Sequence, residues 1–306
     1  MTTAGAALSY IERRLAPWFA LAESEPALTE VLYDGDGRVA VDVGGELYSG
    51  APATGCVLGD EDVIALGANA AVWSDQVWSR EQPFLSVMLP GGWRITFVRA
   101  PVVQRPVMTL RRLIRAAVPL ERYVADGVMS ERQAEELRQI VLAKENVIVS
   151  GAVGVGKTTL ARTLLELVPS DERIVTIEDP AELQLLAAGG SPRPHWVALE
   201  ATPTMDMAAL LRASLRLRPD RIIVGEVRGP DALEMVRAAN VGHRGMLGTI
   251  HSHGAGEAIA RLHTLTVEAQ PGFLLASVER AIDVVVQLEG RGAKRRISEI
   301  WRRHQR

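Results

Sequence analysis

A glycine-rich segment has the residue types and spacing of a phosphate-binding loop. Residues 151–158 read G-A-V-G-V-G-K-T and match G-x-x-x-x-G-K-[ST], between an apolar run and a segment that predicts a helix. Glycines let backbone N–H groups turn inward around phosphates, and a helix start adds a positive dipole end. The residues predicted to cradle a nucleotide are Gly151, Ala152, Val153, Gly154, Val155, Gly156, Lys157, Thr158 and Thr159.

Two side chains at the end of this loop are predicted to contact phosphate and metal directly. Lys157 is predicted to reach the β- and γ-phosphates, and the hydroxyl of Thr158 is predicted to bind Mg²⁺. This pair predicts nucleotide binding but says little about hydrolysis, which also needs a group that orients water.

Acidic residues that follow two predicted strands are candidates for that task. Glu226 ends an apolar strand and is the natural residue to polarise the attacking water. The Mg²⁺-binding aspartate usual in such a strand is replaced by Gly225, so the metal would need Thr158, water and another carboxylate. Glu178 follows the predicted strand 173–177, at the carboxyl end where α/β sheets place ligands, and could assist Mg²⁺ or water. Asp179 fits a functional role and a solvated turn equally well.

A histidine and several arginines complete the candidate set. His251 follows the predicted strand 245–250; its spacing to His253 could bind metal, but a third ligand is not evident, so a hydrogen-bonding γ-phosphate sensor fits better. Charge on a transferring phosphoryl group is often met by guanidinium groups from elsewhere, and the candidates are Arg94, Arg105 and Arg111.

The elements that must position these residues divide the chain. Over 1–100, a predicted helix at 8–21, a second at 61–72 and short strands joined by D-G-D-G and P-G-G turns indicate a small α+β domain. Prolines and arginines over 101–120 predict a linker. Over 121–306, strands alternate with helices, which predicts an α/β domain with a mostly parallel sheet covered on both faces.

Composition excludes several classes of protein. Of 306 residues, 47% are hydrophobic, so the chain can form a core. The 34 basic and 37 acidic residues give a net charge of −3, without the basic field that nucleic-acid binding relies on, and we expect no sequence-specific nucleic-acid partner. Cys56 is the only cysteine, which fits a reducing, cytoplasmic compartment. No apolar run reaches the roughly 18 residues of a membrane helix, so membrane contact would be peripheral.

Four motifs in one order resemble the secretion traffic ATPases. They are the loop above, I-E-D-P-A-E-L at 177–183, L-R-P-D-R-I-I-V-G-E-V-R-G at 217–229, and the segment from 242 to 252 that contains T-I-H-S. They correspond to the Walker A loop, the Asp box, the Walker B strand and the His box of that superfamily. Segments 32–42 and 80–84 make the chain most similar to the TrbB-type conjugative-transfer ATPases of type IV secretion systems.

This resemblance implies a RecA-like P-loop domain after a PAS-like N-terminal domain, in a homohexameric ring that hydrolyses ATP with Mg²⁺. It implies inner-membrane components of a secretion or pilus machine as partners, and a cytoplasmic location at the inner face of the inner membrane. Arg94, and Arg111 or Arg112, match positions where the family carries phosphate-contacting arginines.

Some positions depart from the family, and other functions stay open. Val155 replaces a small polar residue common in the family's loop, and the four-cysteine insertion of type II secretion and pilus assembly ATPases is absent. Alternatives are a type IV or tight-adherence pilus motor, a nucleotide-gated docking module with little turnover, and a small-molecule kinase. The C-terminal arginines fit either lipid contact or a solvated tail; they are Arg295, Arg296, Arg302 and Arg303.

Overall fold

A computed structural model of the chain describes residues 2–44, 46–50, 58–112, 118–179, 183, 193–202, 204–290 and 292–303. The chain forms two compact units, Met1–Ile114 and Arg115–Arg306. The division falls inside the stretch 101–120. Cys56 lies outside the described residues.

The first unit packs two helices against an antiparallel sheet, as its alternating apolar pattern predicts. In the described part of this unit the sheet has six strands in the order β3-β2-β1-β6-β5-β4. Ile11, Leu15 and Trp18 recur at helical spacing on the first helix and are fully buried against this sheet. The elements are α1 Thr3–Ser24, β1 Leu28–Tyr33, β2 Val39–Val43, β3 Glu46–Ser49, α2 Asp60–Ser74, β4 Phe84–Leu89, β5 Trp93–Val98 and β6 Val107–Arg112.

The predicted linker over 101–120 is wrong in part, because it contains β6. This strand pairs with both β1 and β5, in the middle of the sheet. Met108 and Leu110 are fully buried, while Thr109 between them is half-buried and Arg111 after them is exposed. Alternate burial is how an arginine-rich segment can still form a strand, since successive side chains point to opposite faces.

The second unit is an α/β domain, and the predicted fold class is confirmed. Among its described residues the sheet has seven strands in the order β13-β12-β7-β11-β10-β8-β9, and every pairing is parallel except β12 with β13. Its elements are α3 Leu120–Ala125, α4 Glu131–Leu142, β7 Val147–Gly151, α5 Lys157–Glu166, β8 Ile174–Glu178, β9 Trp196–Glu200, α6 Met207–Ser214, β10 Arg221–Val224, α7 Asp231–Asn240, β11 Leu247–Ile250, α8 Ala255–Ala269, α9 Leu275–Ala281, β12 Val284–Glu289, a short 3₁₀ turn Gly292–Lys294, and β13 Arg296–Arg302.

Burial follows from the parallel sheet. Strands β7, β8 and β10 are buried along their whole length, because helices cover both faces and two hydrophobic clusters flank the sheet. The predicted capping box at Ser130 is present: its hydroxyl accepts from the Gln133 N–H, and the Gln133 side chain accepts from the Ser130 N–H. The loops at the carboxyl ends of the central strands are therefore anchored on buried, well-packed strands.

Two edge strands of this sheet, β9 and β13, are not predicted from the sequence. In β13 and directly after it, three of the four arginines predicted to contact lipid or form a solvated tail form ion pairs: Arg296 with Glu289, Arg302 with Glu145, and Arg303 with Asp283. Within the described residues, no helix combines the length and the apolar character that crossing a bilayer requires.

Candidate nucleotide site

The predicted phosphate-binding loop joins the end of β7 to the start of α5. Gly151, Gly154 and Gly156 all have positive φ, at 154°, 75° and 99°. A Cβ on Gly151 would lie 2.6 Å from the Leu288 carbonyl oxygen and 2.8 Å from Val155 Cγ1. Glycine is thus required here by both conformation and space. The loop ends at Gly156, the N-cap of α5, so the free N–H groups of the first helical turn border it.

Val155 does not obstruct this loop. Its side chain is 1% exposed and packs in the hydrophobic cluster that contains Leu160 and Leu288. The departure from the family pattern therefore adds core packing and leaves the inside of the loop to backbone groups.

Lys157 is buried at the base of the loop, with 6% of its surface exposed. Its Nζ donates to the carbonyl oxygens of Gly151 and Ala152, each at 3.0 Å, and lies 2.9 Å from His251 Nδ1. Burial lowers the pKa of Lys157 to about 8, and the nearby carboxylate of Glu226 opposes this shift. The ammonium is thus held at the base of the loop by two carbonyl oxygens and an imidazole nitrogen.

His251 joins Lys157 to Glu226. Its Nε2 lies 3.0 Å from Glu226 Oε1, while its Nδ1 faces the Lys157 Nζ. An ammonium has only donors, so Nδ1 accepts from it and the ring proton is on Nε2, where it donates to the carboxylate. The structure thus brings together three of the predicted site residues, from α5 and from the loops after β10 and β11.

The other oxygen of Glu226 faces an arginine that sequence reasoning missed. Arg228 Nε lies 3.9 Å from Glu226 Oε2, and Arg228 Nη2 donates to the Asp179 carbonyl oxygen at 2.6 Å. Arg228 thereby links the loops after β8 and β10. In the sequence, Arg228 could have been singled out by its place in the V-R-G segment, two residues after Glu226. Its contact with Asp179 could not, because that contact depends on the pairing of β8 with β10.

The side chain of Glu178 packs against Gly225, so a larger residue at position 225 would collide with it. In the register of β8 and β10, Ile177 lies opposite Val224, so Glu178 comes level with Gly225. Glu178 is 2% exposed, and its Oε1 accepts from the Leu183 N–H at 2.8 Å. A Cβ on Gly225 would lie 2.9 Å from Glu178 Cγ and 3.3 Å from its Oε1. The glycine in the Walker B strand therefore provides the space that Glu178 occupies.

We expect Gly225→Ala to destabilise the second unit by about 1–3 kcal/mol, the usual cost of overpacking a core. Glu178→Ala removes the atoms that the new methyl group would strike, so the added cost of Gly225→Ala should fall sharply in that background. Thermal and urea unfolding of the two single variants and the double variant measures this coupling. If Gly225→Ala lowers the free energy of unfolding equally in wild type and in Glu178→Ala, this coupling is contradicted.

The two arginines predicted to contact phosphate, Arg94 and Arg111, lie in the first unit. They are cross-strand partners in β5 and β6, and Arg111 Nε lies 3.3 Å from Glu30 Oε1 on β1. Arg105, the third candidate, instead pairs with Asp36 and Asp60 beside the turn between β1 and β2, which indicates a structural role.

Thr158 follows Lys157 in the first turn of α5, as a metal-binding hydroxyl after a phosphate loop must. In the described parts of the chain, no group of three or more His, Cys, Asp or Glu side chains could hold a metal ion by itself. A cation would therefore depend on Thr158, water and phosphate oxygens, as Mg²⁺ commonly does in nucleotide sites.

Comparison with known proteins identifies the family of this chain. Residues 86–293 match the family described as "Type II/IV secretion system protein". The conjugal transfer protein TrbB of Rhizobium radiobacter is 36% identical over 294 residues, which cover 95% of this chain and 88% of that protein.

Solved structures with a similar fold are described as ATPases. The VirB11 ATPase of the Brucella suis type IV secretion system, in complex with sulphate, is 28% identical, with a TM-score of 0.50 over 98% of this chain and 96% of that one. The ATPase DotB of Legionella pneumophila has a TM-score of 0.63 over 89% of this chain and 74% of that one; at 20% identity it supports the fold alone.

Proposed function

This chain belongs to the type II/IV secretion system protein family, as a type IV secretion traffic ATPase like TrbB, and from that premise we propose that it hydrolyses ATP with Mg²⁺ to power conjugative transfer. The observation that carries the proposal is the linkage of Lys157, His251 and Glu226 beside the phosphate loop. Lys157 Nζ lies 2.9 Å from His251 Nδ1, and His251 Nε2 lies 3.0 Å from Glu226 Oε1. These contacts support the proposed roles of the three residues as phosphate-binding cation, sensor and general base.

Each residue of this linkage has a step in the proposed reaction. Lys157 Nζ exchanges the carbonyl oxygens of Gly151 and Ala152 for oxygens of the β- and γ-phosphates. The Nε2–H of His251 then donates to the γ-phosphate instead of to Glu226. Oε1 of Glu226, released from that bond, accepts the proton of the water that attacks the γ-phosphorus.

The residues present fit a magnesium nucleotide. The positive-φ glycines and the start of α5 form a cradle of N–H groups, and Thr158 follows Lys157 at the position of a metal-binding hydroxyl. Bound Mg²⁺ would neutralise charge on the phosphates. Glu178 is buried and is held by the Leu183 N–H, so we propose that it supports the metal's water shell or the attacking water from behind Gly225.

The remaining parts of the proposal rest on family resemblance. We propose that the chain works as a homohexameric ring, in which Arg94 and Arg111 contact phosphate charge. Its partners would be inner-membrane components of the secretion machine, and it would act on the cytoplasmic side, with peripheral membrane contact at most.

The ATPase rate per chain, measured with Mg²⁺ over a wide range of protein concentration, tests both activity and assembly. A ring that completes its sites between subunits should show a rate per chain that climbs steeply with concentration, in parallel with the hexamer seen by analytical ultracentrifugation. Nucleotide binding without turnover in the assembled ring would contradict the proposal and favour the docking module.

A further inference from the structure

The end of the β12–β13 hairpin lies against the phosphate loop. Leu288, near the end of β12, places its carbonyl oxygen 2.6 Å from where a Cβ of Gly151 would be. Across the turn, Arg295 places its guanidinium carbon 3.3 Å, and its Nη1 3.5 Å, from the corresponding position on Gly156. A cationic side chain outside the recognised motifs thus borders the residue that precedes Lys157.

Arg295 differs from the other C-terminal arginines in its partners. Arg296, Arg302 and Arg303 each pair with a carboxylate, whereas no ion pair of Arg295 occurs within the described part of the chain. Its Nε is buried and has no hydrogen-bond partner among the described residues. The residue as a whole is half-buried, but a buried N–H costs free energy unless an oxygen accepts from it. An anion bound by the loop would supply such an oxygen.

The surroundings of Arg295 hold it in this place. Gly290 has φ +73°, and a Cβ there would lie 2.1 Å from the Lys294 carbonyl oxygen, so the turn closes tightly on itself. The Arg296–Glu289 ion pair, at 2.9 Å, closes the hairpin beside it. The charge of Arg295 also acts on Tyr123 in α3: burial raises the pKa of that hydroxyl, and the charges of Arg295 and Arg162 oppose the rise.

The order of the strands indicates which phosphates Arg295 would reach. β12 lies on one side of β7, while β11 and β10, which carry His251 and Glu226 at their ends, lie on the other. The bond that is hydrolysed would lie on the side of β7 where Glu226 and His251 follow β10 and β11. A group that approaches Gly156 from the β12 side faces the opposite end of the phosphate chain.

We infer that Arg295 is a nucleotide-binding residue, whose guanidinium contacts the phosphate oxygens that ADP and ATP share. The inference rests on the proposed function for the identity of the anion. Because Arg295 would bind ADP and ATP alike, it contributes to affinity and not to the chemical step.

The test measures affinity in the full-length protein. Wild type, Arg295→Ala, Arg295→Lys and Arg302→Ala are titrated with a fluorescent ADP and with a non-hydrolysable ATP analogue, both with Mg²⁺. We expect Arg295→Ala to raise both dissociation constants by the same factor, about 10-fold or more, as for a lost charge-assisted hydrogen bond. Arg295→Lys should lose part of this affinity, and Arg302→Ala, which removes an arginine of β13 that pairs with Glu145, should bind like wild type.

Thermal unfolding of the same nucleotide-free proteins separates binding from folding. A buried N–H without a partner does not stabilise the fold, so the midpoint of Arg295→Ala should equal or exceed that of wild type. Unchanged affinity for both nucleotides in Arg295→Ala, or a loss confined to the ATP analogue, would overturn the inference. A wild type that binds ADP but does not hydrolyse ATP would instead refute the proposed function and leave the role of Arg295 standing.

Discussion

Glu226→Gln should lower the ATP turnover rate by about 10²- to 10⁴-fold, the range that a positioned general base contributes, while nucleotide affinity changes little. The amide keeps the size of the side chain but cannot take a proton from water, and with its oxygen toward His251 its NH₂ group replaces the oxygen that faced Arg228. His251 would still have an oxygen acceptor for its Nε2–H, so the geometry around Lys157 should persist. Single-turnover hydrolysis and fluorescent-nucleotide titration measure the two quantities separately.

The matched control is Glu279→Gln, which removes an exposed carboxylate from α9 without touching the site. It should keep the rate of wild type. Turnover by Glu226→Gln within a few-fold of wild type would remove Glu226 as the base, and Glu178 would then be the next carboxylate to test.

Lys157→Met should weaken the binding of ATP by about 100-fold or more and abolish turnover at ordinary ATP concentrations. Methionine keeps the apolar stem of the side chain but removes the ammonium that would donate to two phosphates, and hydrogen bonds to charged groups contribute about 1.5–3 kcal/mol each. The fold should tolerate the change, because removal of a cation whose pKa burial has lowered to about 8 also removes a desolvation cost. Calorimetric titration and the ATPase rate test this expectation.

Lys144→Met is the control for Lys157→Met. Lys144 pairs with Glu172 at 3.3 Å, just before β7, at the end of that strand away from the phosphate loop. The control should bind nucleotide like wild type. If Lys157→Met binds ATP as tightly as Lys144→Met does, the loop is not a nucleotide site of the proposed kind.

Local sequence was sufficient to predict most elements of both units. The capping box at Ser130, the glycine turn at 90–92 and the apolar runs of β7, β8 and β10 each depend on residues close together in the chain. The phosphate loop belongs to this class, because its glycines, Lys157 and Thr158 lie within eight consecutive residues. Such features are encoded by local conformational preference, so they can be predicted without knowledge of the fold.

Strands β6, β9 and β13 were missed for a common reason. Each is stabilised by pairing with a strand that is distant in sequence or already part of a sheet, and each contains polar or arginine-rich positions that local pattern assigns to a loop or tail. In β6, only the partners β1 and β5 make it favourable to bury Met108 and Leu110 while Arg111 remains exposed.

By itself, the sequence determined that a phosphate loop, two strand-end acids and a histidine occur in one order. Only the tertiary structure decided how they act on one another. The parallel register of β8 and β10 sets Glu178 into the space of Gly225, and the adjacency of β7 and β11 brings His251 to Lys157. The β12–β13 hairpin, more than 130 residues along the chain, places Arg295 beside Gly156. The physical reason is that strand pairing joins residues by register across a sheet, and no local spacing in the chain records that register.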